Sequence, residues 1–283
     1  MTSPLTSASR CEEGTWVHPA GRKLHYRLWQ PQAAKALLVL VHGFGEHSGR
    51  YQALGESLAR EGCWVAAPDL WGHGRSGGAR GEIGSVERCA EDVRLLTEQV
   101  FQPRSGYSQH ALFGHSFGGL AAIMLALSRP AGLRRLIIQS PLLEVAFPVP
   151  RWKTIVARLL CGWWPTCSLA TNLDAALLSH DPAVGAAYRA DPLVHGRMSA
   201  RSYCSILQSR DDALRRADEL DIPTLLLYGE EDHVVSIEMA KRWFALLRCE
   251  KRSVGFPKAY HELHHEAVRL EALRLTLEWA LRP

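Results

Sequence analysis

Three stretches of the chain carry residues that could do chemistry together. The first is Leu112-Phe113-Gly114-His115-Ser116-Phe117-Gly118-Gly119-Leu120, an apolar run, a G-x-S-x-G turn and the start of an alanine-rich helix that continues Ala121-Ala122-Ile123-Met124. In that setting a serine sits on a sharp strand-to-helix turn, its Oγ exposed at the carboxyl edge of a sheet. Gly114 and Gly118 leave room for the turn, and the helix start aims N–H groups and its positive dipole end at the reacting centre. A serine hydroxyl becomes a nucleophile only when a base takes its proton and a third group fixes that base. In this architecture the acid and then the histidine follow the serine along the chain. Asp232, in Gly229-Glu230-Glu231-Asp232-His233-Val234-Val235, is the expected acid, with Glu230 and Glu231 as turn carboxylates facing water. His261, in Ala259-Tyr260-His261-Glu262-Leu263-His264-His265, is the expected base. The tetrahedral intermediate needs N–H donors where its oxyanion forms. Phe117 would supply one, and Phe44, in His42-Gly43-Phe44-Gly45, the other.

The elements that position these residues follow from the hydrophobic pattern. Thr15–His18 and Leu24–Trp29 flank a Pro19-Ala20-Gly21-Arg22 turn and read as a hairpin. Ala36–His42, Cys63–Pro68, Ala111–Phe113, Leu133–Gln139, Pro223–Tyr228 and Lys251–Phe256 read as strands, several of them continuously apolar. Helical stretches are expected at Tyr51–Glu61, Val86–Val100, Ile237–Leu247 and His265–Leu281. Such alternation requires a mostly parallel sheet flanked by helices, the α/β class. The rhythm breaks between about Leu143 and Ser199, where Phe147, Trp152, Leu159, Trp163 and Trp164 occur among polar turns. This stretch is expected to be a helical cap inserted after strand six, roofing an apolar pocket and resting on lipid surfaces. The core is then 1–142 and 200–283, and the cap 143–199.

Bulk composition narrows the function classes. The 283 residues are 47% hydrophobic and 22% charged, as in an ordinary globular protein, with ample chain to bury a core. The net charge of +4 is spread over single basic residues without a Lys/Arg block, so no nucleic-acid partner is expected. Seven dispersed cysteines without a C-x-x-C pair fit reduced thiols. The first residues, expected to be disordered, show no basic region followed by an apolar core, and no run reaches the length of a membrane span. The expected location is cytoplasmic, with peripheral contact of the cap on a membrane or micelle. His264 and His265, beside Glu262 and Glu266, could cap a helix or hold a metal. No H-E-x-x-H spacing occurs, so neither metal nor cofactor is expected.

At these residues the chain resembles the α/β-hydrolase family, in its monoacylglycerol lipase and lysophospholipase branch. The resemblance lies in His42-Gly43-Phe44-Gly45-Glu46-His47-Ser48-Gly49-Arg50-Tyr51, Asp69-Leu70-Trp71-Gly72-His73-Gly74-Arg75-Ser76 and Gly114–Gly119. It continues in Asp191-Pro192-Leu193, Gly229–Asp232 and Tyr260–His264, and spans the chain from about Trp16 onward. It implies the α/β-hydrolase fold, Ser116 as nucleophile, Asp232 and His261 as its partners, and Phe44 and Phe117 as oxyanion donors. It also implies that Glu46, Tyr188 and His264 line the exit for a glycerol-like alcohol.

The leading expectation is a serine ester hydrolase acting on monoacylglycerols or related single-chain lipid esters through an acyl-enzyme, without cofactor. A lysophospholipase or general carboxylesterase would use the same triad. An amidase or iminopeptidase would want an acidic patch for the substrate amine, and a dehalogenase would need Asp at position 116. A binding-only protein on this fold would be expected to carry a damaged triad.

Overall fold

The run Ala36–Val41 forms β3, which carries no polar residue because it has neighbours on both edges and apolar clusters over both faces. Its side chains alternate between those clusters, Leu37, Val39 and Val41 on one face and Leu38 and Leu40 on the other. The structure, a computed structural model, describes residues 10–149, 151–171 and 173–282, so the start expected to be disordered lies outside the described residues.

β1 (Arg10–Val17) and β2 (Lys23–Gln30) form the antiparallel hairpin. β4 (Cys63–Pro68), β5 (His110–His115), β6 (Leu133–Gln139), β9 (Thr224–Gly229) and β10 (Lys251–Phe256) run parallel to β3. The eight-stranded sheet has the order β1-β2-β4-β3-β5-β6-β9-β10. The core helices are α1 (Gln52–Arg60), α2 (Val86–Leu96), α4 (Phe117–Leu127), α8 (Ile237–Leu246) and α9 (Arg269–Ala280). A π turn, Thr97–Phe101, links α2 to the short α3 (Gln102–Ser105), so the expected Val86–Val100 helix is not regular to its end. All eleven residues of α4 are buried, which explains why it lacks a polar face.

Residues 143–199 contain α5 (Arg151–Trp163), α6 (Pro182–Ala190) and an antiparallel ribbon of β7 (Ser168–Ala170) with β8 (Arg197–Ser199). The ribbon is a departure from an all-helical insertion; its three-residue strands are too short to show a period in sequence. α7 (Ala200–Arg215) follows and packs on α2, α4 and α5. The last helix begins at Arg269 rather than His265, because Leu263–His265 folds as a separate 3-10 turn behind His261.

Candidate active site

Ser116 joins β5 to α4 with φ 54° and ψ −118°, a conformation that a residue with a side chain rarely adopts. Its surroundings hold it there. The Ser116 N–H donates to the Gln139 carbonyl at 3.0 Å, and its own carbonyl accepts from Gly119 and Leu142, each at 2.9 Å. The elbow glycines answer to packing. A Cβ on Gly114 would stand 2.4 Å from the Gly118 oxygen, and one on Gly118 would stand 2.2 Å from the Val41 oxygen.

His261 and Asp232 come together from loops after β10 and β9. The His261 Nδ1 is 2.7 Å from Asp232 Oδ2, with both side chains almost wholly buried. The other oxygen, Oδ1, accepts from the Val234 and Val235 N–H groups at 2.8 and 3.0 Å. Burial alone would raise the Asp232 carboxyl; the adjacent imidazole and the two N–H donors outweigh it and hold the group below its ordinary value. Burial alone would lower His261, but the Asp232 charge outweighs it and raises the imidazole. Glu230 and Glu231 are exposed.

Gly43 lies against the nucleophile: a Cβ there would be 3.3 Å from Ser116 Cβ. Its N–H is taken by Glu46 Oε1 at 2.6 Å, which leaves the next amide, Phe44, as the donor of that loop. Phe117 heads α4, where backbone N–H groups have no partner within the helix. The Phe44 and Phe117 rings meet edge-on, 5.4 Å apart.

Glu46 is buried and does more than face the pocket. Besides Gly43 it accepts from the Tyr51 hydroxyl at 2.6 Å and pairs with Arg50. Arg50 also donates to both oxygens of Glu262, at 2.6 and 2.8 Å, and its guanidinium lies over the Tyr188 ring at 4.8 Å. Burial would raise the Glu46 carboxyl; the Arg50 charge outweighs it and holds the group well below the usual carboxylate range. The sequence shows Arg50 four residues beyond Glu46, a spacing that suits an ion pair, but gives no sign of its second partner, Glu262.

His264 takes a different place from the exit expected for it. It is buried, stacked on Tyr51 with ring centroids 4.7 Å apart, and its Nδ1 is 2.9 Å from Gln139 Nε2. The same Gln139 nitrogen is 3.0 Å from His115 Nδ1, so Gln139 bridges two histidines in the layer behind His261. Burial pushes His115 down to about 3 and His264 well below the ordinary imidazole value, so both are neutral. His264 is therefore not an exposed helix cap. Glu262, His264 and His265 do bring three ligand atoms within 4.8 Å of one another. Both Glu262 oxygens, however, are engaged by Arg50, and a cation there would compete with the guanidinium.

These groups meet at a cavity of about 1040 Å³. Ser116, His261, Glu46, Arg50 and Tyr188 line it, and so does an apolar wall from Leu142, Leu143, Phe147, Leu169 and Ile206; His264 does not line it. All seven cysteines are free thiols.

Comparisons with known proteins identify the family to which this fold belongs. A family model described as serine aminopeptidase, S33, matches residues 32–268. Monoglyceride lipase of Homo sapiens is 31% identical over 88% of this chain and 83% of its own. Monoacylglycerol lipase of Mycolicibacterium smegmatis is 28% identical over 97% of this chain and 98% of its own. A longer abhydrolase domain-containing protein of Dictyostelium discoideum is 32% identical over 90% of this chain, which spans 27% of that protein. The crystal structure of Paleococcus ferrophilus monoacylglycerol lipase superposes with a TM-score of 0.83 at 35% identity, covering 90% of this chain and 97% of that one. On this family match and these relatives, the chain belongs to the α/β-hydrolase family, in its monoacylglycerol lipase branch.

Proposed function

We propose that this protein hydrolyses monoacylglycerols to glycerol and fatty acid through an acyl-enzyme on Ser116. The observation that carries the proposal is the two-sided cavity, with an apolar wall suited to one acyl chain and a polar group of Glu46, Arg50 and Tyr188 beside Ser116. Ser116 Oγ attacks the ester carbonyl while His261 takes its proton, and Asp232 holds the imidazole in the tautomer that can accept it. The negative oxygen of the tetrahedral intermediate is met by the N–H groups of Phe44 and Phe117. Collapse returns the proton to the departing glycerol oxygen and leaves an acyl ester on Ser116. Water, deprotonated by His261, then repeats the cycle and frees the fatty acid. No cofactor enters these steps.

A free amine fits the site poorly. Of the three carboxylates that line the cavity among the described residues, Glu46 and Glu262 share Arg50, and Glu144 is exposed. This favours an ester substrate over a peptide amine. Residues 143–199 act as the cap, and the exposed Leu159, Trp163 and Trp164 at the end of α5 give it a face for a membrane or micelle surface. No helix of the described residues is long and apolar enough to cross a membrane.

The test is hydrolysis of 1-monoacylglycerol, lysophosphatidylcholine, diacylglycerol and a short p-nitrophenyl ester, wild type beside Ser116→Ala. The highest kcat/KM on monoacylglycerol, abolished in the variant, supports the proposal. A large preference for the short ester identifies a carboxylesterase, and one for lysophosphatidylcholine a lysophospholipase.

A further inference from the structure

We propose that the loop Asp191–Gly196, in the segment between α6 and β8, straps the oxyanion loop in place, with Asp191 and His195 as positioning residues for the hydrolytic reaction. The proposal rests on the reading of the Phe44 N–H as an oxyanion donor.

The oxyanion loop is held from two sides. On the core side, Glu46 fixes the Gly43 N–H. On the other side, the His195 N–H donates to the Gly45 carbonyl at 2.8 Å, and His47 Nε2 is 2.8 Å from Asp191 Oδ2. Asp191 is itself aimed, since its Oδ1 accepts from the Leu193 N–H at 2.8 Å. The rings close the gap between these bonds. His195 lies edge-on to Phe44 at 6.0 Å and 4.8 Å from His73, which in turn lies edge-on to Phe44 at 4.9 Å. The approach is close enough to dictate a residue. Gly45 has φ +82°, and a Cβ there would stand 2.5 Å from the His195 oxygen.

Phe44 thus lies between two fixed points, one on the core and one on the strap. An oxyanion donor works only within a few tenths of an ångström of its place, and a misplacement of about 1 Å costs on the order of 100-fold. Loosening one side of the loop should therefore weaken the transition state more than the bound substrate.

The experiment uses the full chain as wild type, Asp191→Ala, His195→Ala and His195→Phe. The His195 variants keep the backbone bond and so the best chance of an intact fold, checked by circular dichroism. Two ligands are compared: an alkylboronic acid, whose tetrahedral adduct with Ser116 places an oxygen at the oxyanion position, and a 1-O-alkylglycerol ether, which mimics bound substrate. We expect kcat on the short p-nitrophenyl ester to fall about 10-fold in each alanine variant, with KM within about two-fold. Boronate affinity should fall in step while ether affinity holds, and His195→Phe should recover most of the loss by restoring the ring packing. Folded variants with unchanged kcat and boronate preference, or with equal losses for both ligands, would overturn the strap alone. A wild type that binds boronate no tighter than ether would remove the oxyanion reading, and the strap with it.

Discussion

Replacing Asp232 by asparagine tests the assignment of the acid most directly, because the surroundings dictate how the amide must lie. Oδ1 accepts from two backbone N–H groups, Val234 and Val235, and an NH₂ group could satisfy neither. The amide oxygen therefore keeps that place, and the NH₂ takes the position of Oδ2, 2.7 Å from His261 Nδ1. Facing a donor, Nδ1 must become an acceptor, so the imidazole proton moves to Nε2, the nitrogen that has to receive the Ser116 proton. Loss of the required tautomer costs roughly 10⁴-fold in kcat, about 5 kcal/mol of transition-state stabilisation. Size and burial are conserved, so the fold should remain. The assay is kcat and kcat/KM on a p-nitrophenyl ester across pH. In the wild type, His261 must be neutral to act, and the Asp232 charge raises it above its ordinary value. The wild-type acid limb of kcat/KM should therefore lie above the ordinary imidazole value, activity being lost as pH falls through it. In Asp232→Asn the residual activity should keep its acid limb at lower pH, because the charge that raised His261 is gone. A loss of less than about 10-fold, or a greater loss in Glu230→Gln or Glu231→Gln, would refute the reasoning.

Further outcomes are expected. Ser116→Ala should abolish ester hydrolysis and phosphonate labelling, with thermal unfolding essentially unchanged, because alanine keeps the Cβ and the backbone bonds of the elbow. Arg50→Ala should leave two buried carboxylates, Glu46 and Glu262, without their shared guanidinium and cost about 3 kcal/mol or more, a fall in Tm on the order of 10 °C by calorimetry. That deficit should be largest near neutral pH and narrow in acid. Glu46 is depressed in the wild type, so its contribution is present above the usual carboxylate range and fades as pH falls through the depressed value. Gly45→Ala should lower both Tm and kcat, since a Cβ at φ +82° meets the His195 carbonyl. Incubation with a chelator should leave activity unchanged; a loss restored by added zinc would assign a metal to the Glu262, His264 and His265 cluster.

Much of this protein was legible in its residue pattern, for reasons that are local. A strand buried on both faces must be continuously apolar, and a serine on a strand-to-helix turn must have glycines where backbones crowd, so β3, β5, α4 and Ser116 could be read directly. The order of serine, acid and histidine follows from which strands end at one edge of the sheet, and that placed Asp232 and His261. Tertiary structure decided what depends on partners distant along the chain. Arg50 could be seen beside Glu46, but its second carboxylate, Glu262, lies 212 positions away. His264 differs from His261 by one turn of loop, and only packing against Tyr51 and Gln139 places it behind the pocket rather than at its mouth. Gly45 reads as part of a glycine-rich loop until the backbone of His195 is found against it. Hydrophobic period and turn geometry act between near neighbours and leave a mark in the sequence, whereas charge pairing and loop contact at the sheet edge depend on where the folded chain brings its ends of strands together.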